Sequence, residues 1–325
     1  MDMYTIRGYM LSVVTGGAGF IGSHLTDALV ARGGEVVVID SLRAGSRENL
    51  AQATGSGRVR LVTADLLIKG WEKSFAGASR VYHLAADPDV RQGSLTPESQ
   101  FYNNITATFL VLEAMRDQGV TELVFTSTST VYGEATVIPT PENYTPLEPI
   151  SVYGASKLAC EALISSYCHS YGMRSWIFRF ANIIGPRSGH GVITDFVEKL
   201  SADPGELEIL GDGRQTKSYL GVGDCVTAML HATRHADKRV NTLNIGSEDW
   251  IDVRSIAEIV VDEMHLKDVQ FRYTGGDRGW VGDVPRMQLG VDAISSLGWR
   301  PGQGSRESVR AAVQARLTET GWGRR

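Results

Sequence analysis

The chain has 325 residues, 42% hydrophobic and 21% charged, with a formal net charge of −5. That composition excludes a disordered chain and leaves length for one large α/β domain or two modest ones. The acidic balance argues against nucleic acid bound over the whole surface, and no apolar run is long enough to span a membrane, so an anionic small ligand held by a local convergence of basic residues remains.

Residues 1–10 have neither an apolar signal core nor a basic amphipathic pattern; they read as a short tail, with Met10 as an alternative start. Buried strands are expected at 11–14, 35–40, 59–62 and 80–84, with a helix over 22–32 between the first two. A long helix is expected over 101–118, a strand at 122–127, a helix over 153–171 and a strand at 175–181. Continuous apolar strands separated by helices imply a doubly wound parallel sheet covered on both faces. After Pro186 the segments shorten and gain Gly, Pro and Asp, with one more core strand at 240–245. A smaller second domain is expected from pieces at 186–217 and 249–325, the first domain holding 1–185 and 218–248. The three cysteines, Cys160, Cys168 and Cys225, form no CxxC pair and are odd in number, which suits a reduced, cytoplasmic protein.

Residues 15–22 read T-G-G-A-G-F-I-G. Gly17, Gly19 and Gly22 satisfy G-x-G-x-x-G, and Gly16, Gly19 and Gly22 satisfy G-x-x-G-x-x-G. Such glycines let the backbone approach a pyrophosphate at a helix N-terminus. Asp40 ends the second strand, where an acid accepts from a ribose diol and repels a 2′-phosphate, so NAD is expected over NADP. Arg43 argues the other way, since a nearby arginine can hold a 2′-phosphate; a solvated loop residue or one stacked near the adenine fits it better. Asp65 and Leu66 follow the third strand within reach of an adenine edge, and Leu84, Ala85 and Ala86 end the fourth with small residues beneath a cofactor. Ordinary strand-end packing explains both equally well.

Tyr153 and Lys157 lie in S-V-Y-G-A-S-K, four apart on a helix and so on one face. A free phenol titrates near ~10, and a neighbouring lysine and a positive nicotinamide would lower it. Residues 126–133 read T-S-T-S-T-V-Y-G at the end of the fifth strand, where a hydroxyl can pass a proton to Tyr153. His231 and His235 stand four apart without the Glu of H-E-x-x-H, which favours a surface helix over a metal site.

These motifs, with H-L-A-A, R-F-A-N-I-I-G-P-R, G-D-G-R-Q and a late L-G-W, resemble the extended short-chain dehydrogenases/reductases, and within them the UDP-glucose (UDP-galactose) 4-epimerases of compact archaeal and bacterial type. The resemblance implies Tyr153 as acid/base, Lys157 on the nicotinamide ribose and Thr128 as the catalytic hydroxyl. It implies Asn104 in the cofactor pocket and extends the cofactor set to Phe20, Ile21, Ser41, Gly45, Thr126, Phe180 and Ile183. It implies a UDP-hexose held by Asn182, Lys217 and Arg278, with Val192 and Tyr219 beside it. Lys217 stands where most relatives carry arginine and lacks the bidentate fork. Arg278 and Asp283 lie in D-R-G-W-V-G-D, which departs from the usual R-x-G-D, and Ser41 replaces the usual Asn after Asp40.

Related 4,6-dehydratases carry T-D-E before V-Y-G, and decarboxylases and related dehydratases a Glu; Thr128-Ser129-Thr130 here offers no carboxylate for dehydration. The expected reaction is inversion at C4 of UDP-galactose or UDP-glucose through a 4-keto sugar. The alternatives are another NAD(P)-dependent nucleotide-sugar oxidoreductase, a UDP-N-acetylhexosamine 4-epimerase decided by pocket volume near Met287, and a non-catalytic NAD-binding regulator, which would have lost Tyr153 or Lys157. A homodimer through the helices containing Phe101 and Tyr153 is also implied.

Overall fold

A computed structural model describes residues 10–280 and 282–323. The tail before Met10 and Val281 of the late motif lie outside the described residues.

Seven strands form one parallel sheet: β1 (Leu11–Thr15), β2 (Glu35–Asp40), β3 (Val59–Thr63), β4 (Arg80–His83), β5 (Glu122–Thr128), β6 (Arg174–Phe180) and β7 (Val240–Ile245). Their spatial order is β7-β6-β5-β4-β1-β2-β3. The chain runs outward in both directions from β1, so a crevice opens beyond the strand ends between β1 and β4. The doubly wound parallel sheet read from the sequence is present.

Alternate strand residues supply two cores. Val14, Val36, Val38, Tyr82, Trp176 and Phe178 pack on one face, against α1 (Phe20–Ala31). Val13, Val37, Ile39, Val81, Phe125 and Ile177 pack on the other, against α2 (Ala107–Gln118) and α3 (Val152–Tyr171). This period-two division explains why the strands read as unbroken apolar runs.

The helix expected from 101 does not start as an α-helix. Phe101–Thr106 forms a π-helical turn before α2. Asn104 explains it: its amide donates to Gln100 Oε1 (2.7 Å), Ser156 Oγ (2.8 Å) and the Asp87 carbonyl (3.2 Å), and its Oδ1 accepts from Asp87 N (2.8 Å). A wide turn accommodates those four ties at once.

A third core unites α4 (Val192–Ala202), α5 (Val253–Glu263) and α6 (Ser305–Thr320) through Phe196, Leu200, Ile256, Val260, Val309 and Val313. Beside it the strand Thr216–Lys217 pairs with Ile251–Asp252 and with Arg286–Met287. Among the described residues no helix is long and apolar enough to cross a membrane. Cys160, Cys168 and Cys225 are buried and unpaired.

Candidate active site

The glycine turn leads from β1 into α1. Gly16 has φ +70°, and a Cβ there would stand 2.6 Å from Ala85 N. A Cβ on Gly22 would stand 2.1 Å from the Gly16 carbonyl oxygen. A Cβ on Gly17 would stand 2.8 Å from Val38 Cγ1, and one on Gly19 3.3 Å from the Gly16 carbonyl oxygen, so Gly16 and Gly22 are the positions crowded by backbone. Helix α1 begins at Phe20 with no capping side chain and no acid in its first turn. Its first N–H groups and dipole therefore suit an anion. Phe20 lies edge-on to His24, and Ile21 packs into the core behind the turn.

Asp40 is buried and braces this turn: Oδ2 accepts from Ala18 N (2.9 Å) and Oδ1 from Leu42 N (2.8 Å). Each oxygen keeps a lone pair for a diol. Gly45 presses on the turn so closely that a Cβ would be 2.7 Å from the Ala18 carbonyl carbon, and Asn49 donates to the Ala18 oxygen (2.9 Å). Asn49 had no sequence signal, because its partner is a backbone oxygen 31 residues away. Arg43 is an exposed loop residue, as expected, and pairs with Asp65 (3.0 Å). Asp65 also caps Leu67 N (2.9 Å), and Leu66 is buried with its carbonyl accepting from the Trp71 indole (3.2 Å). Ser41 is exposed. Leu84 and Ala85 are half-buried on opposite faces of the sheet, with Ala86 half-buried after them.

Ser151 caps α3, accepting from Gly154 N (3.1 Å). That fixes the start of the helix, so Tyr153, Lys157 and Glu161 fall on successive turns of one face. Lys157 is buried and donates to the Thr126 carbonyl (2.8 Å), 4.5 Å over the Phe125 ring. Burial pushes its ammonium down to about 8, against the pull of Cys160 and Glu161. Thr128 is buried at the end of β5 and accepts from the Thr130 hydroxyl (3.1 Å).

The Tyr153 phenol departs from the sequence expectation. Burial chiefly, then Cys160 and Asp87, push it above its ordinary value, and a hydrogen bond with Thr128 pulls it down. Lys157 is not among the groups that move it; the ammonium is drawn to the Thr126 carbonyl instead. Asp87 was not singled out in the sequence, and it adds a carboxylate near Tyr153 that residues 128–130 lack. It is held by Ser99 Oγ (2.5 Å) and by the Asn104 ties. Below the site, His83 bridges Thr15 (2.6 Å) and Thr108 (3.0 Å), and burial with nearby Lys157 pushes it down to about 3. Glu161 accepts from Ser127 (2.5 Å) and from Arg179 (2.7 Å), all buried.

Phe180 is buried at the end of β6, and Ile183 packs beside it in the same core. Asn182 donates from its amide to the Ser218 carbonyl (3.2 Å), beside Lys217. Lys217 pairs with Asp283 (2.5 Å), and Arg278 reaches Glu134 (2.6 Å) and the Asp283 carbonyl (3.1 Å). Asn182, Lys217 and the late loop thus come together, although Arg278 is turned toward Glu134. Val192 opens α4 half-buried; Tyr219 is buried in the third core, its phenol pushed up by burial and then by Asp283. Met287 is half-buried against Val131, Tyr132 and Leu289. His231 donates to the Leu297 carbonyl (2.7 Å) and stacks on His235.

A sequence model of the NAD dependent epimerase/dehydratase family matches residues 12–246. The chain belongs to that family. It is 32% identical to the putative UDP-glucose 4-epimerase of Methanocaldococcus jannaschii over 93% of this chain and 96% of the relative. A solved UDP-galactose 4-epimerase is 43% identical, with TM-score 0.86 over 95% of this chain and 99% of that one. The dTDP-glucose 4,6-dehydratase DesIV of Streptomyces venezuelae, solved with NAD bound, is 29% identical, with TM-score 0.88 over 96% and 98%. The family uses NAD, and so does this member; the crowded glycine turn, the uncapped helix start and Asp40 fit that dinucleotide. The specific reaction varies among these relatives.

Proposed function

We propose that this chain is a 4-epimerase interconverting UDP-galactose and UDP-glucose through a 4-keto sugar. The supporting observation is that the Tyr153 phenol lies close enough to feel Thr128, at a strand end carrying hydroxyls at 128, 129 and 130 and no acid. Gly16, Gly19, Gly22 and Asp40 would hold the pyrophosphate and ribose of NAD, with Lys157 toward its second ribose. Bound NAD supplies a reversible hydride acceptor for the sugar's C4. Tyr153, directly or through Thr128, takes the C4 hydroxyl proton and later returns it. A phenol raised by burial is a poor base, so it needs the positive nicotinamide nearby to hold its charge. Asn182 and Lys217 anchor the UDP diphosphate through charge-assisted bonds while the sugar turns. In this reading residues 1–185 and 218–248 serve the cofactor, and 186–217 and 249–325 the UDP-sugar.

We also propose a homodimer in a reduced, cytoplasmic setting. Phe101, Tyr102, Phe109 and Tyr171 are exposed aromatics on the π-helical turn, α2 and α3, a pattern that suits helix pairing between two copies.

The test is proton NMR of UDP-galactose with the purified protein in D₂O and no added cofactor. UDP-glucose without deuterium at C5 supports 4-epimerisation. Deuterium at C5 would point to elimination, and no epimer from intact, cofactor-loaded protein would reject the substrate.

A further inference from the structure

Residues 278–280 and 282–283 touch several parts of the fold around the site. Trp280 lies under the Arg91 guanidinium, 4.4 Å from the ring centroid, and under the Lys217 ammonium, 5.1 Å away. Arg91 belongs to the helix Val90–Leu95 that follows β4, and Lys217 to the strand beside the third core, so one indole joins two separate parts of the fold. A Cβ on Gly282 would stand 3.5 Å from Ser151 Cβ, which brings the same stretch against the start of the Tyr153 helix.

The Trp280 Nε1 atom is buried and has no hydrogen-bond partner among the described residues. An indole N–H only donates, and buried donors are ordinarily paired. The carboxylate three residues on is already engaged: Asp283 Oδ1 accepts from Lys217 (2.5 Å) and Oδ2 from Gly279 N (3.0 Å). The indole donor is thus left open to an acceptor, and two cations on the ring favour an anionic one.

We propose that Trp280 is a substrate-contacting residue whose Nε1–H donates to a phosphoryl oxygen of a nucleoside diphosphate sugar, with Arg91 and Lys217 as the cations around that oxygen. This assigns Trp280 and Arg91 to diphosphate recognition beside Lys217. It rests on the nucleotide-sugar reading above for the identity of the ligand. It does not depend on which reaction follows binding.

The experiment measures UDP affinity by calorimetry, which needs no turnover, on NAD-loaded wild type, Trp280→Phe and Arg91→Met. Trp280→Phe keeps a ring for both cations and removes only the donor. The expected result is UDP binding weakened about tenfold in Trp280→Phe, as for one hydrogen bond to a charged acceptor, with NAD content and circular dichroism unchanged. Arg91→Met should weaken UDP binding and flatten its salt dependence. Unchanged UDP affinity in Trp280→Phe overturns the proposal, as does a wild type that does not bind UDP. A wild type that binds UDP, loses affinity on Trp280→Phe and forms no epimer would support the Trp280 contact while rejecting the epimerase reading.

Discussion

The Lys157 ammonium donates a 2.8 Å hydrogen bond to the carbonyl of Thr126, two residues before Thr128 on the same strand. The lysine thus ties α3 to the end of β5 and sets where the Tyr153 phenol meets the Thr128 hydroxyl. Within the protein itself, burial, Cys160 and Asp87 raise the phenol and Thr128 lowers it.

Replacing Tyr153 with Phe removes the proposed proton acceptor and leaves the glycine turn untouched. Turnover of UDP-galactose should fall by on the order of 10²–10⁴-fold, the usual contribution of a general acid/base. NAD released on denaturing the variant should match wild type. Near-normal turnover would remove Tyr153 from the reaction.

Lys157 titrates near 8 when folded against 10.5 as a free side chain. Between those values the unfolded chain binds a proton that the folded chain does not, so stability rises with pH across that window; below about 8 the cost of the buried charge is fully present. The gap corresponds to roughly 3 kcal/mol. Urea midpoints at intervals from pH 7 to 10.5 should show wild type gaining on Lys157→Met as pH rises. Parallel curves would mean the ammonium is not held low.

Arg179 and Glu161 are buried together, and Glu161 also takes the Ser127 hydroxyl. Arg179→Met would strand that carboxylate and should cost about 3–5 kcal/mol in chemical denaturation. The double variant Arg179→Met with Glu161→Leu should recover much of the loss. A single variant as stable as wild type would show that the pair is dispensable.

Gly22→Ala drives a methyl to within 2.1 Å of the Gly16 carbonyl oxygen, which is backbone and cannot step aside. The turn must open, at a cost of about 1–3 kcal/mol as for other overpacking changes. The purified variant should carry little NAD and show a lowered melting temperature. Full NAD content would mean the turn is looser than its packing indicates.

Much of the molecule was legible beforehand because it rests on local rules. The strands of the sheet show as apolar runs, the glycine turn is contiguous, and Tyr153 and Lys157 fall four apart on one helix. What stayed hidden depends on partners far apart in the chain. Asn104 reaches Ser156 across 52 residues and so replaces a plain helical start with a π-helical turn. Arg278 is turned toward Glu134, 144 residues earlier, and Lys217 meets Asp283 across 66. Arg43, exposed in its loop, also pairs with Asp65, 22 residues on.

The sequence by itself determined the parallel sheet, the dinucleotide turn and the placing of Tyr153 and Lys157 on one helix face, since periodicity and short spacing act through neighbouring residues. Only the tertiary structure decided which charges are paired, which way the Tyr153 phenol is shifted, and that Trp280 is held between Arg91 and Lys217. Ionisation and long-range pairing depend on burial and on distances through space, and a linear order of residues carries neither.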